Sequence, residues 1–312
     1  MLHQRLLFGA LMIAGIVGIV SLDAWLSQRG LSAQATGGTA VLGCALPMAL
    51  LVVFLAVLAT YEMNQLCVAG GYRPAVNWVA LVSGGLAFLP WLEMQRRLSS
   101  AMSPLFELDL PLELWWLACG LLGTCLAVLL RKTTERALGN MAMSLFLVLY
   151  LGLLGSFAVR IRCLWPGPAG ALLVVYFILT VKAGDIGAYF TGLMFGRHKL
   201  VPWLSPGKTV EGAVGALVYA TLVAGVGTVL WSRFPVWGPP PVTLMQALIF
   251  GVVMAVAGHL GDLTESAFKR DVGIKDSGRV VPAFGGLLDI LDSPLFAAPI
   301  AWWLLTIWLP TR

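Results

Sequence analysis

Nearly uncharged apolar runs of bilayer-crossing length recur along almost the whole chain, near residues 6–26, 40–60, 75–92, 112–130, 138–158, 169–191, 212–231, 243–262 and 287–309. A hydrocarbon core about 30 Å thick is crossed by about 20 apolar residues of α-helix, so the spacing predicts about nine spanning helices. The runs are continuous rather than alternating, which argues against a β-barrel. Lipid allows backbone no third general solution, because every N–H and C=O must find its partner within the protein. The expected fold class is all-α, a polytopic membrane protein. Composition agrees, since 59% of the 312 residues are hydrophobic and 11% are charged, far from the usage of a soluble domain.

Arg5 followed by an apolar run resembles a signal peptide, but eight further runs follow it, and an uncleaved first helix is expected. Nine spans put the two ends on opposite sides. The N-terminal side then carries twelve basic residues, among them Arg131, Arg136, Lys208, Lys269 and Arg279, against seven on the other, including Arg96, Arg97, Arg160 and Arg162. That bias predicts a cytoplasmic N-terminus. No repeat and no Pro/Gly/Ser-rich linker divides the chain. The expectation is one membrane domain over 1–312, with scaffold-like spans in 1–165 and the catalytic spans and loops in 166–312.

Several function classes fall away. Cys44, Cys67, Cys119, Cys125 and Cys163 form no CxxC pair, so they read as small buried hydrophobes rather than a zinc site or disulfide framework. The net charge of +5 is scattered over membrane loops without a continuous basic face, which favours anionic lipid headgroups over nucleic acid. Loop 93–111, with Glu93, Arg96, Arg97, Glu107 and Asp109, carries no motif and reads as solvated, and the prolines at 239–241 read as a stiff turn. Small-residue positions such as Gly212, Gly215, Gly225 and Gly227 suit helix packing within one chain or across a homodimer.

Chemistry concentrates near the C-terminus. Asp262, Glu265, Ser266 and Lys269 stand at offsets 0, 3, 4 and 7, which lie on one face of a helix that continues past His259. A Glu265–Lys269 surface pair explains two of them, but not a carboxylate beside an apolar span, which costs about 2.5–3.5 kcal/mol on insertion scales. Asp289 and Asp292 repeat the i,i+3 spacing after Gly285-Gly286 at the start of the last run. There they suit either a helix N-terminus or a hard cation such as Mg²⁺ that also binds phosphate. Asp185 lies within an apolar run with Lys182 one turn earlier, so a structural ion pair and a ligand role both stay open. The stretch SPGKTVEG, Ser205 to Gly212, offers a turn at Pro206-Gly207, a cation at Lys208, a hydroxyl at Thr209 and a carboxylate at Glu211. A nucleotide P-loop fails because Pro202 stands where its first glycine is needed and no β-strand is expected before it. A phosphate-contacting loop of Ser205, Lys208 and backbone amides remains. His198 and His259 read as loop and packed or supporting imidazoles.

In order, DIGAYFTG at 185–192, SPGKTVEG at 205–212 and SAFKRDVGIKDSGRVVPAFGGLLDILD at 266–292 resemble the phosphatidate cytidylyltransferases, or CDP-diglyceride synthases. The match takes in Ser266, Lys269, Arg270, Lys275, Asp276, Gly278, Pro282, Gly285, Gly286, Asp289 and Asp292, over about residues 180–295. Phe284 stands where that family usually has His, and Ile290 where it usually has Arg. The resemblance implies conversion of CTP and phosphatidate to CDP-diacylglycerol and pyrophosphate, at the cytoplasmic face of the inner or cell membrane. It also implies Mg²⁺, one ion or two. On that footing Asp262, Asp289 and Asp292 hold the metal, with Asp185 and Asp276 as further candidates. Lys208, Lys269, Arg270 and Lys275 meet phosphates, Ser205 and Ser266 supply hydroxyls, and Thr209, Glu211, Gly285 and Gly286 complete substrate binding. The two departures keep open a CTP-dependent transferase for another lipid acceptor and an inactive lipid-binding paralogue, and intramembrane carboxylates also suit an ion-coupled transporter.

Overall fold

A computed structural model of the protein describes residues 2–35, 44–98, 111–165, 167–235, 238, 240, 242–274 and 286–309. Its helices are α1 (Leu2–Ala35), α2 (Leu46–Ala69), α3 (Val76–Leu98), α4 (Leu112–Leu129), α5 (Ala137–Leu147), α6 (Leu154–Cys163), α7 (Pro168–Phe195), α8 (Val210–Arg233), α9 (Leu244–Asp271) and α10 (Leu288–Trp308). A π-helical stretch, Val148–Leu153, joins α5 to α6 in one span, Ala137–Cys163. Among the described residues eight segments are long and apolar enough to cross a membrane. With α1 over the first predicted run, this gives the nearly all-helical polytopic architecture expected.

Several helices run past the apolar stretches into charged residues. Glu93 is in α3 rather than in a loop, and α3 runs to Leu98. Arg160 and Arg162, expected in a loop, are in α6. Cys119 also departs from expectation, since it is exposed on α4 rather than buried. The Pro206-Gly207 turn is absent. A two-stranded antiparallel hairpin of β1 (Lys199–Val201) and β2 (Ser205–Thr209) stands there, with its turn at 202–204 and Val201 facing Ser205. A strand therefore does precede SPGKTVEG, but in a hairpin rather than in the parallel sheet of a P-loop.

Contacts divide the chain into two units, Met1–Ala171 with Ile274–Leu288 and Leu172–Gly273 with Asp289–Arg312. In the first unit, α3 packs against α2, α4 and α6. Two tryptophans lock α3 to α4: Trp78 Nε1 donates to Gly120 O at 3.1 Å, and Trp116 Nε1 donates to Val82 O at 2.9 Å. Each ring lies over a glycine of the facing helix, Trp116 over Gly85 and Trp78 over Gly123, where a Cβ would overlap the indole. Arg162 and Asp23, both 0% exposed, pair at 2.6 Å, and Arg162 also donates to Ser27 Oγ at 2.7 Å.

In the second unit, α8 and α9 meet through Ala216, Ala220 and Ala255, and a Cβ on Gly251 would sit 2.5 Å from Thr221 Cα. Small residues let helix backbones approach where lipid supplies no hydrophobic drive of its own. The helix starts are capped as their sequences permit. Thr209 Oγ1 accepts from Gly212 N–H at 3.1 Å to start α8, and Thr243 with Gln246 forms a capping box for α9.

Candidate functional site

The charged stripe of α9 faces the first turns of α10 and the middle of α7, and together they line a cavity of about 270 Å³. Its walls are Asp185, Asp262, Glu265, Lys269, Asp289, Asp292 and Ser293. Gly261 makes this approach possible, because a Cβ there would lie 2.5 Å from Asp292 O and 2.9 Å from Phe296 Cβ. With α10 seated against that bare backbone, carboxylate oxygens of Asp262, Glu265 and Asp292 lie within 4.8 Å of one another.

The polar contacts sort the acids into two kinds. Asp289 Oδ1 takes Lys269 Nζ at 2.7 Å, and Lys269 also reaches Glu265 Oε2 at 2.9 Å. Asp185 Oδ2 takes Lys182 Nζ at 2.8 Å, while its Oδ1 accepts from Ser293 Oγ at 3.3 Å. Asp185 is thus ion-paired and also stands in the cavity wall. Asp292 Oδ1 accepts from its neighbour Ser293 N–H at 2.6 Å. Glu265 and Asp292 are buried, 1% and 4% exposed, and Glu265 Oε1 makes no hydrogen bond among the described residues. Lys208 comes in from β2 to lie 2.8 Å from Asp262 Oδ2, an ion pair without the alignment of a hydrogen bond.

Five carboxylates therefore meet three lysines around one cavity, a formal deficit of two positive charges. Like charges this close cannot all stay ionised without compensation. Clustered carboxylate oxygens are the donor set a hard divalent cation takes, so the group is a candidate metal site.

Of the residues singled out in the sequence, Asp262, Asp292, Asp289, Asp185, Lys269 and Lys208 converge here. Ser266 is half-buried on α9, and Arg270 at its exposed end lies with Nε 3.4 Å from Leu204 O. Ser205 is half-buried at the start of β2. Thr209 is the α8 cap, and Glu211 accepts the N–H groups of Arg197 and His198 at 3.1 and 3.2 Å and pairs with His198 Nδ1 at 2.7 Å. Both thus hold the base of the hairpin that carries Lys208. Gly286 is buried just before α10. Lys275, Asp276, Gly285 and Phe284 lie outside the described residues. Two lining residues carry less signal in the sequence: Glu265 is legible there only as part of the α9 stripe, and Ser293 not at all. Glu265 stood three residues after Asp262, but its spacing to Lys269 also fitted a surface pair; the Lys269 pair forms at 2.9 Å, yet with Glu265 buried.

The pattern of the cytidylyltransferase family matches residues 27–308, nearly the whole chain. The chain belongs to the cytidylyltransferase family. Similar proteins include the uncharacterized protein YnbB of Escherichia coli (strain K12), 42% identical over 42% of this chain and 41% of that protein. The phosphatidate cytidylyltransferase of Mycobacterium leprae is 40% identical over 53% of this chain and 49% of its own. That of Synechocystis sp. (strain PCC 6803) is 32% identical over 58% and 68%. The alignments with the first two span about half of those relatives' length or less. Membership of the cytidylyltransferase family agrees with a site in which lysines and a candidate metal-binding set of carboxylates converge.

Proposed function

We propose that the protein is a phosphatidate cytidylyltransferase, forming CDP-diacylglycerol and pyrophosphate from CTP and phosphatidate. The observation that carries the reading is the convergence of Asp262, Glu265 and Asp292, with Lys208 and Lys269 beside them, around one cavity of a membrane domain. The phosphatidate cytidylyltransferases among the similar proteins support it.

A phosphate monoester is already a nucleophile. One of its oxygens forms a bond to the α-phosphorus of CTP, the bond from that phosphorus to the oxygen bridging to the β-phosphate breaks, and pyrophosphate leaves. Such a transfer depends on positioning and charge stabilisation more than on covalent help from the protein. Asp262, Glu265 and Asp292 would hold Mg²⁺, for which a crowded oxygen donor set with one oxygen unpartnered among the described residues is a fit. When bound, the cation supplies positive charge to phosphate oxygens. Asp289 orients Lys269, and Asp185 orients Lys182 and Ser293. Lys269 and Lys208 present ammonium groups to the phosphates, with Arg270 at the rim. Lys275 and Asp276 extend this set on the strength of the sequence resemblance. The basic bias of the N-terminal side supports a site facing the cytoplasm, where CTP is made available.

The test is an acceptor comparison in purified protein with CTP and Mg²⁺. Phosphatidate should give CDP-diacylglycerol with stoichiometric pyrophosphate. Faster turnover of another lipid phosphate would move the assignment to that acceptor, and no product in folded protein would return the chain to the inactive class.

A further inference from the structure

Glu62 is a carboxylate that the chemistry above does not use. It lies in α2 and is 1% exposed. Its two oxygens accept the backbone N–H groups of Leu287 at 2.7 Å and Leu288 at 3.1 Å, partners more than two hundred positions away in sequence. All three residues belong to the first unit. The leading N–H groups of a helix have no partner within it, and a helix N-terminus favours negative charge. α10 begins at Leu288, and Leu287 before it has no side-chain acceptor with which to cap it. Glu62 thus does from a distant helix what a local Ser or Asp cap does elsewhere.

The consequence runs along α10 itself. Asp289 is the next residue, and Asp292 follows one turn later. An acidic residue in the first turn is the usual alternative acceptor for such N–H groups. Asp289 takes Lys269 Nζ at 2.7 Å. We propose that Glu62 is a positioning residue that holds the start of α10 in its helical turn, on which the helical spacing of Asp289 and Asp292 along α10 depends. Its consequence for a metal rests on the function proposed above; the anchoring does not.

The experiment compares the full chain in lipid nanodiscs with Glu62→Gln, which keeps one carbonyl acceptor, and Glu62→Ala, which keeps none. Amide hydrogen exchange is read by mass spectrometry, and Mn²⁺ binding is read by electron paramagnetic resonance on the same samples. Exchange over 287–292 should quicken by about five- to tenfold in Glu62→Ala, the size of losing a helix cap. It should quicken less in Glu62→Gln, while protection in α3 to α6 stays as it was. Mn²⁺ affinity should fall in the same order. Unchanged exchange over 287–292, or protection lost equally across the first unit, would overturn the proposal. So would a loosened turn with unaltered Mn²⁺ affinity. A locally loosened turn in a protein whose unaltered form binds no Mn²⁺ would uphold the anchoring and remove the metal reading alone.

Discussion

Buried charge is handled in opposite ways in the two units. In the first, Arg162 and Asp23 are wholly buried and answer one another at 2.6 Å, with Ser27 and the Met48 N–H filling further positions. In the second, Asp262, Glu265 and Asp292 crowd together, and Glu265 Oε1 is left without a hydrogen bond among the described residues. A paired charge is a structural joint, which needs nothing further. Crowded like charges are tolerable only where a proton or a cation compensates them. The difference separates a scaffold from a site more sharply than the amount of charge does.

The largest effect should come from removing a ligand. Asp292→Asn is expected to lower turnover on the order of a thousandfold, the scale of losing a main electrostatic element of a site, with thermal unfolding near that of the unaltered chain. Normal turnover would take Asp292 out of the metal set. Next comes Gly261→Ala, which pushes α10 off α9 without touching a charge. A displacement near 1 Å should lower turnover by about a hundredfold, and Mn²⁺ binding should weaken with it. If activity survives, the close helix approach is not what gathers the acids.

Asp23→Asn breaks the comparison from the other side. It leaves Arg162 buried against a neutral partner and should cost about 3–5 kcal/mol of stability, read as earlier unfolding in denaturant, while turnover per folded molecule is kept. Smallest is Thr209→Ala, which removes the α8 cap for about 1 kcal/mol. A larger loss of activity than of stability there would mean that the hairpin base controls Lys208.

The membrane architecture was legible because bilayer thickness fixes helix length, and the α9 stripe was legible because the 3.6-residue period fixes which side chains share a face. What escaped the sequence depends on meetings between distant segments. Nothing local in Asp23 or Arg162 announces a partner 139 positions away. Glu265 looked like half of a surface pair until Asp292 arrived beside it across Gly261. The hairpin escaped because β1 and β2 are three and five residues long, and the Pro-Gly pair that suggested a turn is inside β2. Glu62, in the half of the chain read as scaffold, carried no motif at all.

The most direct test of the site is product formation set against metal. The purified chain is given CTP and phosphatidate, with Mg²⁺ or with chelator, alongside Asp292→Asn and Glu265→Gln. CDP-diacylglycerol and pyrophosphate should form only from the unaltered chain with Mg²⁺. Equal product in chelator, or from either variant at the unaltered rate, would contradict this.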